Sequence, residues 1–341
     1  MKEFTRIGLD LAKNYFQVHA LAETNGVTER HKLSRIKVLT FFSELKPSLI
    51  GMEACGSAHF WARELSQMGH EVCLIPPSYI KQYVKRGKND AVDAEAICEA
   101  MSRPGMRFVP IKTADQQAAL MLHSTRDLLI KQRTMCVNAL RGHLSEFGII
   151  AAKGVDRVKE LLAIAEQCDD LPRAAKESAV VLSNQINRIN ESIHGLEQQI
   201  RAASQENEVT QLIEQIPGIG KITASLITAS VSDPGAFKSG RDMAAWLGLT
   251  PRQNSSGGKQ SLGRITKQGN RQIRTLLVLG ATSLLRAASK RQGSLRDWIV
   301  DLRARKPARL VTVAVANKLA RIIWAVMTTG EAFRAEIFMK A

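Results

Sequence analysis

The stretch Ile7-Gly8-Leu9-Asp10-Leu11-Ala12 decides the fold of the N-terminal part of this 341-residue chain. It is a short apolar run that carries one carboxylate, which is typical of a buried strand with an acid at its end. Leu49-Ile50-Gly51-Met52-Glu53-Ala54 repeats the pattern with Glu53. Further strand-like runs alternate with helical patterns, so we predict an α/β domain with a mixed sheet. The predicted strands are 7–11, 16–21, the segment after the hairpin signal Asn25-Gly26, 49–54 and 71–75, and the predicted helices are 34–45, 58–68 and 90–101.

Two more acids, Asp90 and Asp93, stand three residues apart at the start of a predicted helix. Acids in a first helical turn are favourable for the helix by themselves, so a purely structural role stays open for this pair. Together with Asp10 and Glu53, however, they form the series strand, strand, helix. Ribonuclease-H-like nucleases assemble a two-metal site from acids in that order, and oxygen ligands suit Mg²⁺. The four acids therefore predict a metal site for phosphoryl transfer.

The charge of the chain points to a polyanionic partner. The formal net charge is +16, and residues 236–309 hold 16 Lys and Arg against three acids, so this stretch alone carries +13. Five scattered cysteines without Cys-x-x-Cys spacing fit a reducing cytosol. The longest apolar stretches, such as 276–285, are shorter than the roughly 18 residues that a membrane helix needs. We therefore expect a cytoplasmic protein with no membrane partner.

The middle of the chain, from about residue 113 to 205, contains little turn punctuation and one strong heptad pattern. Apolar residues follow one another in alternating steps of four and three, which is typical of a coiled-coil seam. One interpretation is a long helix packed inside its own chain. Polar flanking residues favour the other, which is helix pairing between protomers. The seam consists of Leu182, Ile186, Ile189, Ile193, Leu196, Ile200 and Ala203.

Two segments of the C-terminal part predict contacts with nucleic-acid backbone. Pro217-Gly218-Ile219-Gly220-Lys221 resembles a helix-hairpin-helix turn, in which glycine amides and a helix N-terminus approach a phosphate, although an ordinary tight turn between helices is nearly as good an interpretation. The segment 250–270 is irregular, rich in glycine and cations, and holds Ser255 and Ser256. From its residues alone, it is either a flexible phosphate-binding linker or the carrier of a mobile nucleophile. The candidate nucleic-acid contacts are Gly218, Gly220, Lys221, Arg252, Lys259, Arg264, Lys267 and Arg271.

These features in fixed order resemble the DEDD transposases of bacterial insertion-sequence family 110, and the N-terminal part is most similar to its subgroup 1111. The resemblance covers nearly the whole chain, and such an ordered series is far more specific than any single motif. The segments that carry it are 7–13, 53–54, 88–94, 216–220, 245–252, 255–257 and 263–270.

The resemblance implies a RuvC-like or RNase H-like domain at 1–112, a helical connector at 113–208 with a coiled coil near 180–204, and a mainly α-helical transposase domain at 209–341. It also implies that the four acids bind Mg²⁺, or Mn²⁺ in its place. The family nucleophile is the serine before glycine in the pattern Pro-Arg-x-x-x-Ser-Gly, which is Ser256 here, with Ser255 adjacent to it. The catalytic residues are then Asp10, Glu53, Asp90, Asp93 and Ser256.

The same resemblance implies a homo-oligomer, a dimer or tetramer, that recombines element ends and target DNA through a covalent phosphoserine. A noncoding RNA encoded by the element would pair with both DNAs, so that base pairing supplies sequence recognition. Two alternatives follow from the residues. A RuvC-like nuclease would use water in place of serine, and a non-catalytic nucleic-acid-binding protein would use the acids only structurally.

Overall fold

The structure, a computed structural model, describes residues 3–22, 28–83, 90–254, 261–288 and 293–334, with only the backbone of Asp90 and Ala91. The chain forms two compact units, Met1–Gln117 (unit 1) and Ala118–Ala341 (unit 2). The predicted division into three domains at 112 and 208 stays a prediction. The predicted α/β class of the N-terminal part is confirmed, as is the mainly helical character of the rest.

Unit 1 is built on a five-stranded sheet with the strand order β3-β2-β1-β4-β5. Strand β1 pairs antiparallel with β2 and parallel with β4, so the sheet is mixed as predicted. The signal Asn25-Gly26 lies outside the described residues, but the strands on either side of it, β2 and β3, pair antiparallel. The strands are β1 Arg6–Asp10, β2 Tyr15–Leu21, β3 Thr28–Ser34, β4 Leu49–Glu53 and β5 Glu71–Ile75, and the helices are α1 Val38–Ser43, α2 Ala58–Gln67, α3 Pro77–Ile80 and α4 Asp90–Met101.

The two faces of this sheet are covered by different helices. Ile7 and Leu9 of β1 are fully buried in a core with residues of α1 and α2. Because side chains alternate along a strand, Gly8 and Asp10 belong to the opposite face. There α4 packs on the sheet through the buried residues Ile97, Ala100 and Met101. We call this second surface the α4 face.

Glycines allow α4 to approach β1 and β4 closely. A Cβ atom on Gly8 would lie 2.8 Å from the Cys98 amide nitrogen and would also collide with the Ala94 carbonyl oxygen. A Cβ atom on Gly51, which pairs with Gly8 across the two strands, would lie 2.7 Å from Cγ of Met101. Close helix–sheet contact therefore requires glycine at both positions, and most strictly at Gly8, where the obstacle is backbone.

Unit 2 contains two long helices, α5 Ala114–Ser145 and α7 Arg173–Gln205, with α6 Val158–Gln167 between them. The Arg126 guanidinium of α5 donates two hydrogen bonds, of 2.8 and 2.6 Å, to Glu197 of α7. Arg133 donates to Asn190 at 2.9 Å, so the two helices run antiparallel.

The heptad seam on α7 is largely covered inside the same chain. Ile186, Ile189, Ile193 and Ile200 are buried, and Ile186 shares a core with Val137 and Leu140 of α5. Ala203, the last residue of the predicted seam, is exposed. The structure thus favours packing within the chain over the pairing between protomers that the polar flanks indicated.

The remaining helices of unit 2 surround a second large core. Its central member, α13, is fully buried at Val311, Val315, Leu319 and Ile323. These elements are α8 Glu208–Glu214, α9 Lys221–Ser230, α10 Gly240–Trp246, β6 Pro251–Gln253, β7 Leu262–Ile265, α11 Arg271–Ala287, α12 Ser294–Arg305 and α13 Ala308–Thr329, with a 3-10 turn at Pro234–Ala236.

Helix α13 is also long and apolar enough to cross a membrane by length and composition alone. The expectation that all apolar stretches are too short is therefore wrong for this helix. Of its most apolar 18-residue window, 56% is buried inside the protein, and the core helix of a soluble protein has the same composition. Packing thus accounts for its apolar character without a membrane.

Replacing Gly8 by alanine should destabilise unit 1. The new methyl group would collide with backbone atoms of α4, and overpacking of this kind costs about 1–3 kcal/mol of the free energy of unfolding. Urea unfolding of the full chain measures the change. Gly195→Ala in α7 is the control, because a Cβ there meets nothing within 4 Å. That substitution should leave stability unchanged or raise it by about 0.5–1 kcal/mol. Equal stabilities of the two variants would contradict the close contact at Gly8.

Candidate active site and nucleic-acid interface

Asp10 and Glu53 lie at the ends of two neighbouring parallel strands. Leu9 of β1 is opposite Met52 of β4, so the next residues along each strand, Asp10 and Glu53, are neighbours at the same end of the sheet. Both belong to the α4 face, since they stand two residues after Gly8 and Gly51. We call Asp10 and Glu53 the strand-end pair.

Both carboxylates influence the neighbouring thiol of Cys55. Partial burial raises the pKa of the Cys55 thiol, and the carboxylates of Glu53 and then Asp10 raise it further. Two negative groups therefore act on the same thiol at the end of β4. Among the residues that the structure describes, none forms an ion pair with Glu53. An oxygen-rich centre with this charge suits a hard divalent cation.

The helical acids are placed less completely. Asp90 is the first residue of α4, and its side chain is outside the described part of the chain. Asp93 is partly buried in the first turn, directly before Ala94, which contacts Gly8. Within the described residues, which lack the Asp90 side chain, no three His, Cys, Asp or Glu side chains are grouped closely enough to hold a metal ion. The structure thus brings Asp10 and Glu53 together, and the complete set of four acids stays a prediction.

The predicted turn around Gly218 is present, with helix α8 before it and helix α9 after it. Gly218 has a φ of +85°, and a Cβ atom there would lie 2.8 Å from Cδ1 of Leu284. On α11, a Cβ atom at Gly280 would collide with the Gly218 carbonyl oxygen. Gly218 therefore serves close packing of the turn against α11, a role that the sequence did not indicate.

Gly220 and Lys221 lie on the open side of the same turn. Gly220 is exposed, precedes the first residue of α9, and has no neighbouring atom within 4 Å of a Cβ position. A cavity of about 350 Å³ is lined here by Arg201, Gly220, Lys221, Ile222 and Thr223. Two cations beside a helix N-terminus suit an anion. Arg201 of α7 was missed in the sequence, because only the fold brings it to this turn.

The predicted irregular segment 250–270 contains an antiparallel pair of short strands. Pro251 of β6 is opposite Ile265 of β7, and Gln253 is opposite Leu262. We call the strand pair β6 and β7 the basic ribbon. Ser255, Ser256 and Lys259 follow β6 in the sequence and lie outside the described residues. Arg252, Arg264, Lys267 and Arg271, the other predicted cations of this region, are all exposed.

The base of the basic ribbon is fixed by close backbone contacts. Lys267 has a φ of +57°, and its amide donates to the Gly248 carbonyl oxygen at 3.1 Å. Arg274 of α11 donates to the carbonyl oxygens of Leu247 at 2.9 Å and Gln268 at 2.6 Å. Arg274 thus positions the ribbon, and apart from the nearby glycines Gly248 and Gly269 no local sequence pattern indicates this role.

Comparisons with known proteins identify the family of this chain. The model of the Transposase IS116/IS110/IS902 family matches residues 210–295, and the DEDD transposase model of the IS110 type matches residues 7–149. The chain is 45% identical to a "Probable family 20 transposase" of Pseudomonas aeruginosa, over 97% of this chain and 98% of the relative. It is 39% identical to the transposase of insertion sequence element IS1328 of Yersinia enterocolitica, over 98% and 99% of the two chains.

A third relative, the transposase of insertion sequence element IS1111A of Coxiella burnetii, is 39% identical over 98% of this chain and 92% of its own length. The match at 7–149 contains all four predicted acids, and the match at 210–295 contains the turn at Gly218 and the basic ribbon. The resemblance seen in the sequence is thereby confirmed. This chain belongs to the IS110/IS116/IS902 family of insertion-sequence transposases, enzymes that cleave and recombine DNA.

Proposed function

We propose that this transposase exchanges DNA strands with the help of Mg²⁺ and through a covalent phosphoserine. The observation that carries the proposal is the strand-end pair: two carboxylates at the same end of adjacent parallel strands, on the face that α4 covers. An arrangement of this kind, followed in sequence by a helical acid pair, supports a RuvC-like or RNase H-like character for unit 1. The seam on α7, packed against α5, supports an intramolecular coiled coil in the connector.

Asp10, Glu53, Asp90 and Asp93 would hold the divalent ions. Family membership supports a general dependence on divalent metal, and the oxygen donors favour Mg²⁺ with Mn²⁺ as a substitute. When bound, such ions supply charge stabilisation at a phosphorus centre under attack. The carboxylates themselves fix the position of that centre at one end of the sheet, on the α4 face.

Ser256 is the proposed nucleophile. Its Oγ forms a bond to phosphorus while the bond from phosphorus to one deoxyribose oxygen breaks, and the serine proton is released as the departing oxygen gains one. A hydroxyl of a second strand then attacks the phosphoserine and reverses these changes. Each step breaks one phosphoester bond and forms another, so the phosphorus remains a diester throughout and the exchange conserves bond energy. The exposed ribbon and its cations, Arg252 and Arg264, support delivery of the serine to a DNA backbone.

The grip on DNA is proposed to come mainly from unit 2. Residues 236–309 carry a formal charge of +13, and contacts of Lys and Arg with phosphates are independent of base sequence. Lys259, Lys267 and Arg271 belong to this basic stretch. Gly220 and Lys221 would bind a phosphate at the N-terminus of α9. Gly218 would contribute by shaping the turn, since its backbone packs against α11.

Sequence recognition is proposed to reside in a noncoding RNA of the element that pairs with target and donor DNA, within a dimer or tetramer of the chain. Backbone contacts alone do not select a sequence, which supports an external guide. The cytoplasmic compartment follows from the expected substrate and from the scattered, unpaired cysteines.

Replacing Asp10 by asparagine should lower DNA strand cleavage by at least about a hundredfold, because one charged ligand of the metal is lost. DNA binding, measured by fluorescence anisotropy, should change little. Glu71→Gln is the matched control, since Glu71 begins β5 at the opposite end of the same sheet and is exposed. Cleavage that is equal in the two variants, or that survives removal of divalent ions by a chelator, would refute the metal site.

Replacing Ser256 by alanine should abolish the covalent protein–DNA adduct while DNA binding remains. The adduct is measured as protein that stays attached to labelled DNA after denaturation. Ser255→Ala is the neighbouring control and should retain the adduct. An adduct lost only in Ser255→Ala would transfer the role to Ser255. Cleavage without any adduct, indifferent to both serines, would favour the nuclease that uses water.

Removing RNA should abolish strand exchange at the element's own target while cleavage-independent binding to DNA persists. The measurement compares recombination by protein purified with and without ribonuclease treatment, followed by addition of RNA transcribed from the flanks of the gene. Recombination that is unaffected by ribonuclease would contradict the guide RNA and would leave the metal site and serine untouched.

A further inference from the structure

A second chemically distinctive feature of unit 1 lies beside the strand-end pair. Tyr15, the first residue of β2, has 53% of its surface exposed, whereas Phe16 beside it is fully buried. The ammonium of Lys32 lies 4.8 Å from the centre of the Tyr15 ring. Tyr15 is not part of the hydrophobic core, so core packing does not explain why a tyrosine stands at this position.

Strand register connects this tyrosine to the carboxylates. Asp10 of β1 is opposite Gln17 of β2, and Gln17 is opposite Lys32 of β3. Residues directly opposite each other share a face, so these three side chains form one row on the α4 face. Tyr15 stands two residues before Gln17 and therefore belongs to the same face. Lys32 is two strand spacings, about 10 Å, from Asp10.

The exposed cations near this row are Lys13 and Lys32. The Arg35 guanidinium lies over the Phe16 and Trp61 rings, which belong to the opposite face of the sheet. On the α4 face, Glu95 of α4 forms an ion pair of 2.8 Å with Arg30 of β3. In the described part of the chain, Lys32 forms no ion pair with a carboxylate, and its ammonium lies over the Tyr15 ring. The Arg35 amide donates to the Asn14 carbonyl oxygen at 2.9 Å, which ties the end of β3 to the turn that precedes Tyr15.

An exposed aromatic ring among cations is the combination that binds single-stranded nucleic acid. Bases stack on the ring, and cations accompany the backbone, without need of a specific base. A double helix keeps its bases stacked on one another, so only an unpaired or separated strand can use such a ring. The adjacent carboxylates identify DNA as the occupant, since the chain is a DNA transposase and the proposed cleavage centre lies in the same row.

We propose that Tyr15 and Lys32 form a single-strand DNA subsite, which stacks a base of the strand whose backbone linkage lies at Asp10 and Glu53. The subsite rests on the proposed function in that it assigns cleavage to the strand-end pair. It would hold the substrate strand in unpaired form next to the carboxylates and fix the distance between the stacked base and the reacting phosphate. Tyr15 is thus a positioning residue, as it contacts a base and not the reacting atoms.

Photo-crosslinking tests the subsite locally, without interference from DNA bound to unit 2. The full chain is irradiated with a single-stranded DNA oligonucleotide that carries 5-iodouracil, and the crosslinked tryptic peptide is identified by mass spectrometry. The segment from Asn14 to Arg30 is a single tryptic peptide in which the exposed aromatic residue is Tyr15. We expect the crosslink on this peptide.

The variants separate stacking from other contacts. Tyr15→Ala should lower the crosslink yield on this peptide by between about 5-fold and about 150-fold, the range expected for loss of one base–aromatic stack. Tyr15→Phe should retain it, because the ring remains. Tyr83→Ala is the matched control, since Arg103 lies 5.5 Å over the Tyr83 ring in the same unit, and it should leave the yield unchanged.

Three results would overturn the subsite: no crosslink on this peptide, a yield that survives Tyr15→Ala, or a higher yield with an RNA strand of the same sequence. Crosslinking needs no cleavage, so the outcome is independent of the catalytic proposal. Cleavage that depends on Asp10 but occurs without the crosslink would refute the subsite and leave the proposed chemistry intact. A crosslink without any cleavage would support the subsite and refute the proposed chemistry.

Discussion

The contact on which unit 1 depends is the approach of α4 to strands β1 and β4 at positions where no side chain fits. Gly8 faces backbone atoms of Ala94 and Cys98, and Gly51 faces Met101. A helix that rests on the strands themselves is held within a narrow range of heights above the sheet. The first turn of α4 then lies on the same face as Asp10 and Glu53. Glycine packing thus brings acids that are distant in sequence to one layer of the fold.

A similar use of glycine organises the C-terminal half. Gly218 and Gly280 allow the turn before α9 to press against α11, while Gly248 and Gly269 bring the base of the basic ribbon against the end of α10. In both places backbone meets backbone, and the cations project from the rigid contact toward solvent. The rigid base matters for the proposed chemistry, because the proposed nucleophile, Ser256, follows β6 in the sequence and a functional group needs a rigid support.

Charge is divided between the two units in a way that suits the proposed reaction. Acids at the sheet end of unit 1 would bind cations, and the basic surface of unit 2 would bind DNA backbone. The row from Asp10 to Lys32 adds an exception within unit 1, where cations and an exposed ring adjoin the acids. A polyanion attracted only to unit 2 would be repelled by the strand-end pair, whereas Lys32 and its neighbours reduce that repulsion locally.

The sequence by itself determined the strands, the helices of unit 1, the turn at Gly218 and the family, because apolar periodicity and turn residues act over short distances along the chain. It also selected Asp10 and Glu53, whose shared sheet end the register confirms. Only the tertiary structure decided that α5 covers the seam of α7, that β6 pairs with β7, and that Tyr15 and Lys32 share a face of the sheet with Asp10. These results depend on which surfaces meet across the chain, and heptad spacing, glycine content or a lone tyrosine does not specify the partner.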